Sequence, residues 1–134
     1  MMDYGAEGLE QTLQLLDEHG IGHAGGGPSF REAHAPALIH KNGTSIAMLG
    51  YTCVFLPYGF AATEDQPGLA VIRVNTAYQA SQNIPYQPGS PAVTVTIPDS
   101  ANVRRVEADI QRARSAADLV VVQGPHSTSR TNDF

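Results

Sequence analysis

The feature that most constrains the fold is a strand–helix–strand pattern in the last third of the sequence. Residues Ala92–Ile97 alternate apolar and threonine side chains, which predicts a half-buried strand. Asp99 offers a helix start, apolar residues then recur at helical spacing as far as Ala117, and Leu119–Val122 is an entirely apolar strand. Because a crossover helix joins parallel strands, Val93–Val122 predicts a right-handed β-α-β unit whose two strands are parallel neighbours. The sequence therefore predicts an α/β fold.

The amino-terminal residues predict a helix over Glu7–His19. Leu9, Leu13 and Leu16 fall at positions i, i+4 and i+7. Leu15 is expected to widen this apolar stripe. Gly20 supplies a carboxyl-terminal stop.

A capping pattern and a hairpin follow. Ser29 and Glu32 form a capping box, which favours a short helical turn before Pro36. Ala37–Lys41 and Ser45–Thr52 read as two strands joined by Asn42-Gly43, and this dipeptide is a strong hairpin signal because both residues tolerate positive φ.

The middle of the chain gives weaker signals. Phe55–Gly68 is rich in proline and glycine and is predicted to be a loop. Leu69–Val74 is a short strand candidate. Asn75–Pro91, which contains three prolines, predicts a surface loop, and Gln123–Phe134 predicts a frayed tail.

Charge and cysteine content exclude several classes of protein. The chain has 134 residues, which suits one domain, and its 8 Lys and Arg against 13 Asp and Glu give a net charge of −5. That sign disfavours binding to nucleic acid or to an anionic membrane. Cys53 is the single cysteine, so no internal disulfide can form, and it is expected to be a small buried hydrophobe. We see no signal peptide or membrane-spanning run and therefore expect a cytoplasmic protein by default.

The charged residues themselves suggest structural roles. The densest basic cluster is interrupted by Glu107 and Asp109, and together they predict a solvated helix face; its members are Arg104, Arg105, Arg112 and Arg114. Capping accounts for Asp99. Spacing suggests no role for Asp118, which lies directly before the last strand.

A glycine motif and five histidines are the candidate chemical groups. Gly20–Gly25 matches G-x-G-x-x-G, but it follows a helix instead of a strand, so a loop is favoured over a dinucleotide site. Four of the histidines are expected to be surface or capping residues, namely His19, His23, His34 and His40. His126 differs because it follows an apolar strand, and functional groups of α/β folds gather at the carboxyl ends of strands. The residues alone give no complete catalytic set.

Several segments, in this order, resemble the capsule synthesis protein CapA family of poly-γ-glutamate synthesis. The matching residues begin with Asp3-Tyr4-Gly5, Glu7-Gly8-Leu9, Thr12-Leu13, Leu16-Asp17, Gly20-Ile21, Ala24-Gly25 and Glu32-Ala33. They continue with Pro36, Asn42-Gly43, Leu49-Gly50-Tyr51-Thr52, Asp109-Ile110, Ala113-Arg114, Ala117-Asp118 and Leu119–Val122. The resemblance covers about Asp3 to Val122.

The resemblance implies a metallophosphoesterase-like fold with a divalent metal centre, Mn²⁺ or similar, at the strand ends. Family members carry an Asn-Asn-His run just before the Asp-Tyr-Gly segment and a histidine shortly after the last apolar strand. This sequence starts at Met1-Met2-Asp3, so we expect the first ligand-bearing part to lie outside it. The resemblance carries the histidine over to His126 as a metal ligand. We therefore expect a partial metallophosphoesterase-like sheet-and-helix sandwich over residues 1–122 with an irregular tail over residues 123–134.

Three functions remain open at this point. The first is a CapA-type region that is inactive alone because it lacks most metal ligands. The second is a non-catalytic binding or assembly module whose exposed sheet edge pairs with a complementing chain, and self-association through this edge is one form that the pairing can take. The third is a small-molecule enzyme that uses the Gly20–Gly27 loop, which would require phosphate- or nucleotide-dependent stabilisation.

Overall fold

A computed structural model describes residues 2–56 and 58–124 of the chain. These residues form three helices and seven strands. In chain order they are α1 (Gly5–Glu18), β1 (Gly26–Gly27), α2 (Phe30–Ala33), β2 (Ala37–Lys41), β3 (Thr44–Gly50), β4 (Gly68–Leu69), β5 (Val74–Gln79), β6 (Val93–Pro98), α3 (Ser100–Ala116) and β7 (Leu119–Gln123). The mixture of helices and strands confirms the predicted α/β class.

The helix predicted at the amino terminus is confirmed as α1. Leu9 and Leu13 are its buried residues. The stripe is narrower than predicted, because Leu15 is 57% exposed. Helix α1 thus buries only a narrow apolar stripe, which packs in one cluster with Leu69 of β4.

The predicted hairpin is also confirmed, and it forms most of the central sheet. Asn42 and Gly43 connect β2 to β3 with φ of 52° and 79°, as a tight two-residue hairpin turn requires. Strand β3 then pairs in parallel with β7, which gives a three-stranded sheet of order β2-β3-β7. The parallel pair β3 and β7 therefore ends at a common edge of this sheet.

The strand–helix–strand order of the last third is confirmed, but its two strands are not neighbours. Strand β6 pairs antiparallel with β5 in a separate two-stranded ribbon, whereas β7 pairs with β3. The expected parallel pairing of the two strands is therefore wrong. The physical reason is that β3, which lies far from β7 in the sequence, provides the edge with which β7 forms backbone hydrogen bonds. No local sequence pattern reveals a pairing over this distance.

The middle of the chain also differs from the prediction. Leu69–Val74 does not form one strand: β4 ends at Leu69, Val71 makes only an isolated bridge with Thr52, and β5 begins at Val74. Strand β5 occupies the first part of the predicted loop Asn75–Pro91. The polar composition of β5 does not predict a strand, but the antiparallel pairing with β6 stabilises one.

Helix α3 begins at a well-formed cap. The Asp99 carboxylate accepts a hydrogen bond from the Asn102 backbone N–H at 2.9 Å, which confirms the predicted capping role. Among the described residues no helix is long and apolar enough to cross a membrane.

The described residues form two hydrophobic clusters, and the one that contains α3 lies against one face of the central sheet. Leu49 of β3 and Ala113 of α3 are buried at its centre, and Val120 of β7 packs against them. The register places Leu119 and Val121 on the opposite face, where they are 51% and 43% exposed. The central sheet is therefore covered by α3 on one face and has exposed apolar side chains on the other.

Candidate functional site

A cavity of about 420 Å³ opens at the carboxyl ends of the parallel strands β3 and β7. Gly50, Tyr51 and Thr52 line it from the end of β3, and Gln123 and Gly124 line it from the end of β7. In α/β sheets ligands bind outside the carboxyl ends of the strands. This cavity is therefore the candidate functional site, which we call the strand-end cavity.

The glycine run forms one wall of the strand-end cavity by close backbone contact. Gly25 has φ of +88°, and a Cβ atom on it would lie 2.9 Å from the Gly50 carbonyl oxygen. A Cβ on Gly50 would lie 2.8 Å from the Ala24 carbonyl oxygen. The sequence places glycines here because the two walls touch through their backbones.

The same geometry confirms that the G-x-G-x-x-G motif is a loop. Its residues follow α1, and the next glycines, Gly26 and Gly27, pair with Leu69 and Gly68 as a short antiparallel ladder. A Cβ on Gly27 would collide with the Ala33 backbone nitrogen of α2, so α2 packs directly against this strand. A dinucleotide site would instead need a strand before the motif and a helix directly after it.

Backbone hydrogen bonds connect the walls of the cavity. The Tyr51 N–H donates to the Gln123 carbonyl oxygen at 2.9 Å, and the Thr52 N–H donates to that of Ala70 at 3.0 Å. The Ala70 N–H in turn donates to the Gly25 carbonyl oxygen at 2.9 Å. The ends of β3 and β7 and the glycine wall are therefore parts of one hydrogen-bonded structure.

Behind these walls lies a buried charged cluster centred on Asp109 of α3, which is 3% exposed. Its Oδ2 atom accepts a hydrogen bond from the Tyr51 hydroxyl at 2.8 Å and lies 3.2 Å from Nδ1 of His34. Its Oδ1 atom pairs with the Arg112 guanidinium. We call Asp109, His34, Tyr51 and Arg112 the Asp109 cluster.

The cluster overturns one expectation and decides another between its two alternatives. Asp109 does not belong to a solvated helix face, because its side chain points into the core beside Ala113. His34, expected to be a surface or capping residue, is the carboxyl-terminal cap of α2 with a buried side chain. A buried carboxylate needs paired donors to offset its desolvation, and these residues supply them.

Burial and charge shift the titration of two members of the Asp109 cluster. Burial lowers the pKa of His34 below its ordinary value of 6.5, and this effect outweighs the nearby Asp109 carboxylate, which raises it. Burial, and then the hydrogen bond to Asp109, raise the pKa of Tyr51 far above its ordinary value. His34 is therefore neutral, and the Tyr51 phenol holds its proton, near pH 7.

The remaining candidate residues have structural partners or lie on the surface. His19 Nδ1 lies 2.8 Å from the Leu15 carbonyl oxygen, and His23 Nε2 lies 3.1 Å from the Asp17 carboxylate. His40 is exposed on β2, and Cys53 is half-buried. These four residues do not come together at one site.

Asp118, for which spacing suggests no role, fastens the start of the sheet. Its carboxylate accepts hydrogen bonds from the Ser45 N–H at 2.8 Å and from the Ser45 hydroxyl at 2.6 Å. These contacts, chiefly that of the hydroxyl, lower the pKa of Asp118. Asp118 thus joins β3 and β7 at the end of the sheet opposite the strand-end cavity.

The residues of the strand-end cavity do not by themselves fit a metal centre. Among the described residues that line it, Asp3 is the only carboxylate. Across the described ranges, 2–56 and 58–124, no group of three His, Cys, Asp or Glu side chains could hold a metal ion. A catalytic zinc-type site uses three protein ligands, and a two-metal site uses more. The predicted ligand His126 lies outside the described residues, two positions after Gly124 in the sequence.

Sequence reasoning missed the Asp109 cluster, although a signal was present. Asp109 lies three residues after Val106 and four before Ala113, so it falls within the apolar stripe of α3. A charged residue in such a stripe indicates a buried, paired group. Its partners, His34 and Tyr51, are 75 and 58 residues away in sequence, and no local pattern identifies them.

Comparison with known proteins identifies the relatives of the chain. The family model described as "Bacterial capsule synthesis protein PGA_cap" matches residues 1–131. The "PGA biosynthesis protein CapA" of Bacillus subtilis (strain 168) is 29% identical over 133 residues, which are 98% of this chain and 27% of the relative. The "Capsule biosynthesis protein CapA" of Bacillus anthracis is 35% identical over 68 residues, 51% of this chain and 16% of the relative.

A third relative has no assigned function in its name. It is the "Uncharacterized protein y4sH" of Sinorhizobium fredii (strain NBRC 101917 / NGR234), which is 33% identical over 78 residues, 54% of this chain and 17% of the relative. The matched regions thus amount to between 16% and 27% of the length of these three relatives.

Proposed function

Because the chain belongs to the bacterial capsule synthesis protein family, we propose that it forms one part of a CapA-like protein of capsule or poly-γ-glutamate synthesis. In this proposal the strand-end cavity is the chain's share of a metal-dependent phosphoesterase-like site. The observation that carries it is the position of the cavity at the carboxyl ends of β3 and β7, where α/β folds place their ligands.

We further propose that this chain alone has no hydrolase activity. Asp3 is the one carboxylate among the lining residues that the structure describes, and the resemblance adds His126 as one further ligand. Two ligands do not meet the requirement of a hydrolytic metal centre, so additional polypeptide must supply the others. The matched relatives are several times longer than this chain, which is consistent with such a supply.

A hydrolysis assay tests this proposal. The purified chain is incubated with Mn²⁺ and bis(p-nitrophenyl) phosphate, and an established metallophosphodiesterase serves as the positive control. We expect no turnover above that of Mn²⁺ in buffer. Turnover that disappears in the His126→Ala variant would contradict the proposed inactivity and would identify His126 as a ligand.

A second candidate function is that of an assembly module that associates with itself through the edge of β7. This strand lies at one side of the central sheet, carries no charged residue and contains no proline. Leu119, Val121 and Val122 on it are each between 43% and 51% exposed. Natural edge strands are usually protected by charges or prolines, so this unprotected edge favours pairing with another strand.

Sedimentation velocity over a range of protein concentrations tests the second candidate. Association through β7 predicts that the sedimentation coefficient rises with concentration and that Val121→Lys suppresses this rise. Ile84→Lys is the matched control, because Ile84 is 41% exposed on the connection between β5 and β6, which form a sheet separate from that of β7. A monomer at every concentration, or equal effects of both variants, would exclude pairing through β7.

A further inference from the structure

The Asp109 carboxylate is the point at which three elements of the fold meet. The Tyr51 hydroxyl comes from the residue after β3, His34 from the end of α2, and Arg112 from α3 itself. Both oxygens of the carboxylate are engaged, and the His34 and Tyr51 side chains are almost completely buried. Burying a carboxylate is costly unless it is paired and hydrogen-bonded, so its three partners hold the Asp109 side chain in this position.

Two of these partners lead directly to the walls of the strand-end cavity. Tyr51 is itself a lining residue, and its backbone N–H bonds to Gln123 across the cavity. His34 ends α2, whose backbone is packed against Gly27 just after the glycine wall. The carboxylate therefore contacts the end of β3 directly through Tyr51 and is connected to the glycine wall through His34 and α2.

We propose that Asp109 is a positioning residue of the strand-end cavity: it holds Tyr51 and α2 so that the β3 end and the glycine wall keep their spacing. This inference rests on the proposed function, because it assigns a role within the same site. Asp109 does not line the cavity and would not contact a ligand there. Its effect passes through Tyr51, which does line it.

The fold offers a matched control for this role. Asp118, on the connection between α3 and β7, is also a carboxylate, but it binds Ser45 at the opposite end of β3. Asp109→Asn and Asp118→Asn remove the same charge from the two ends of the same strand. If Asp109 has a positioning role at the cavity, Asp109→Asn loosens the cavity end of β3, whereas Asp118→Asn loosens the opposite end.

Amide hydrogen exchange followed by NMR on the whole chain, without metal or substrate, tests the proposal. In Asp109→Asn we expect exchange to accelerate about tenfold or more at the amides of Tyr51, Thr52 and Ala70, with no such change at Ser45. In Asp118→Asn we expect the reverse. The ¹³Cζ resonance of Tyr51, which reports on the hydrogen bond of its phenol, should shift in Asp109→Asn only.

Two results would overturn the proposal: unchanged exchange at the cavity end in Asp109→Asn, or equal acceleration at both ends of β3. If Asp109→Asn does not fold, Tyr51→Phe replaces it, because it removes only the hydroxyl donor. Faster exchange at the Thr52 amide of Tyr51→Phe would support the proposal, and an unchanged rate would overturn it. Because no metal or phosphoester is present, this outcome is independent of the hydrolysis assay, which tests the proposed function.

Discussion

At the scale of single residues, two kinds of contact hold the segments around the strand-end cavity together: direct contact between backbones and a buried hydrogen bond between side chains. Gly25 and Gly50 allow two backbones to touch because neither has a side chain. Asp109 and Tyr51, by contrast, join elements through a buried hydrogen bond of 2.8 Å. The first kind of contact requires the absence of a side chain, and the second requires a hydroxyl and a carboxylate at these positions.

The backbone contact at Gly25 leads to a prediction about two glycines of the same loop. Gly20 and Gly25 both have positive φ, but a Cβ would meet nothing at Gly20 and would crowd the Gly50 carbonyl at Gly25. We expect Gly20→Ala to lower the free energy of unfolding by about 1 kcal/mol from backbone strain alone. Gly25→Ala should lower it by about 3 kcal/mol, because overpacking adds to the strain. Urea denaturation measures both, and equal losses would contradict the close contact.

Burial of His34 predicts a pH dependence of stability. Its pKa is lowered in the folded chain, so the unfolded chain binds a proton more tightly. The stabilisation is therefore fully present above about pH 6.5 and is lost as the pH falls below that value towards the lowered pKa. We expect the free energy of unfolding, measured in urea at pH 7 and pH 5, to fall less in His34→Gln than in the natural chain. His40→Gln, at an exposed histidine, is the control, and a similar change in both variants would refute this origin.

At the scale of elements, local patterns specify some pieces and leave others to their partners. The β2–β3 hairpin is set by Asn42-Gly43, and α1 by its leucine spacing. Strand β5 carries no such signal, and it is a strand because β6 pairs with it. An element that contains a turn motif or a helical period can be predicted from the sequence, whereas a strand such as β5 forms only when its partner strand is present.

The orientation of α1 predicts unequal effects of two neighbouring leucines. Leu13 is buried in a cluster with Leu9 and Leu69, whereas Leu15 is largely exposed. We expect Leu13→Ala to lower the free energy of unfolding by about 2 kcal/mol or more, and Leu15→Ala to change it by less than about 0.5 kcal/mol. Chemical denaturation of both variants checks this. Equal losses would mean that α1 packs in another rotation.

At the scale of the whole molecule, the central sheet is an incomplete layer. Helix α3 covers one face, while Leu119 and Val121 remain exposed on the other. An α/β domain normally buries both faces of a sheet with parallel strands. The exposed apolar face and the unprotected β7 edge are therefore consistent with the proposal that further polypeptide completes the domain.

The donor set of the strand-end cavity predicts the response of the whole chain to metal. A ligand that binds only the folded state raises stability according to its concentration relative to its Kd. Asp3 is the single carboxylate among the described residues that line the cavity, so we expect about 1 mM Mn²⁺ to change the midpoint temperature of thermal unfolding by less than about 1 °C. Differential scanning calorimetry with Mn²⁺ or with EDTA measures this shift. A clear rise abolished by His126→Ala would reveal a metal site that the described residues do not contain.

Much of the fold was readable from local sequence, but less of the site. The α/β class, the helices and the Asn-Gly hairpin follow from periodicity and turn chemistry. The Gly20–Gly25 motif was correctly read as a loop, since its context lacks the required strand. The Asp109 cluster was not found, because its partners come from three separate elements. The predictions for His126 and for the boundary at residue 122 stay predictions.

The sequence by itself determined the elements that have a local cause, together with the family to which the chain belongs. A helix period, a positive-φ turn and a helix cap each lie within a few residues, where backbone sterics and short-range hydrogen bonds act. Only the tertiary structure decided that β7 pairs with β3 instead of β6 and that Asp109 is buried beneath the strand-end cavity. These outcomes depend on contacts between residues more than 50 positions apart, whose free energy arises only when the whole core excludes water.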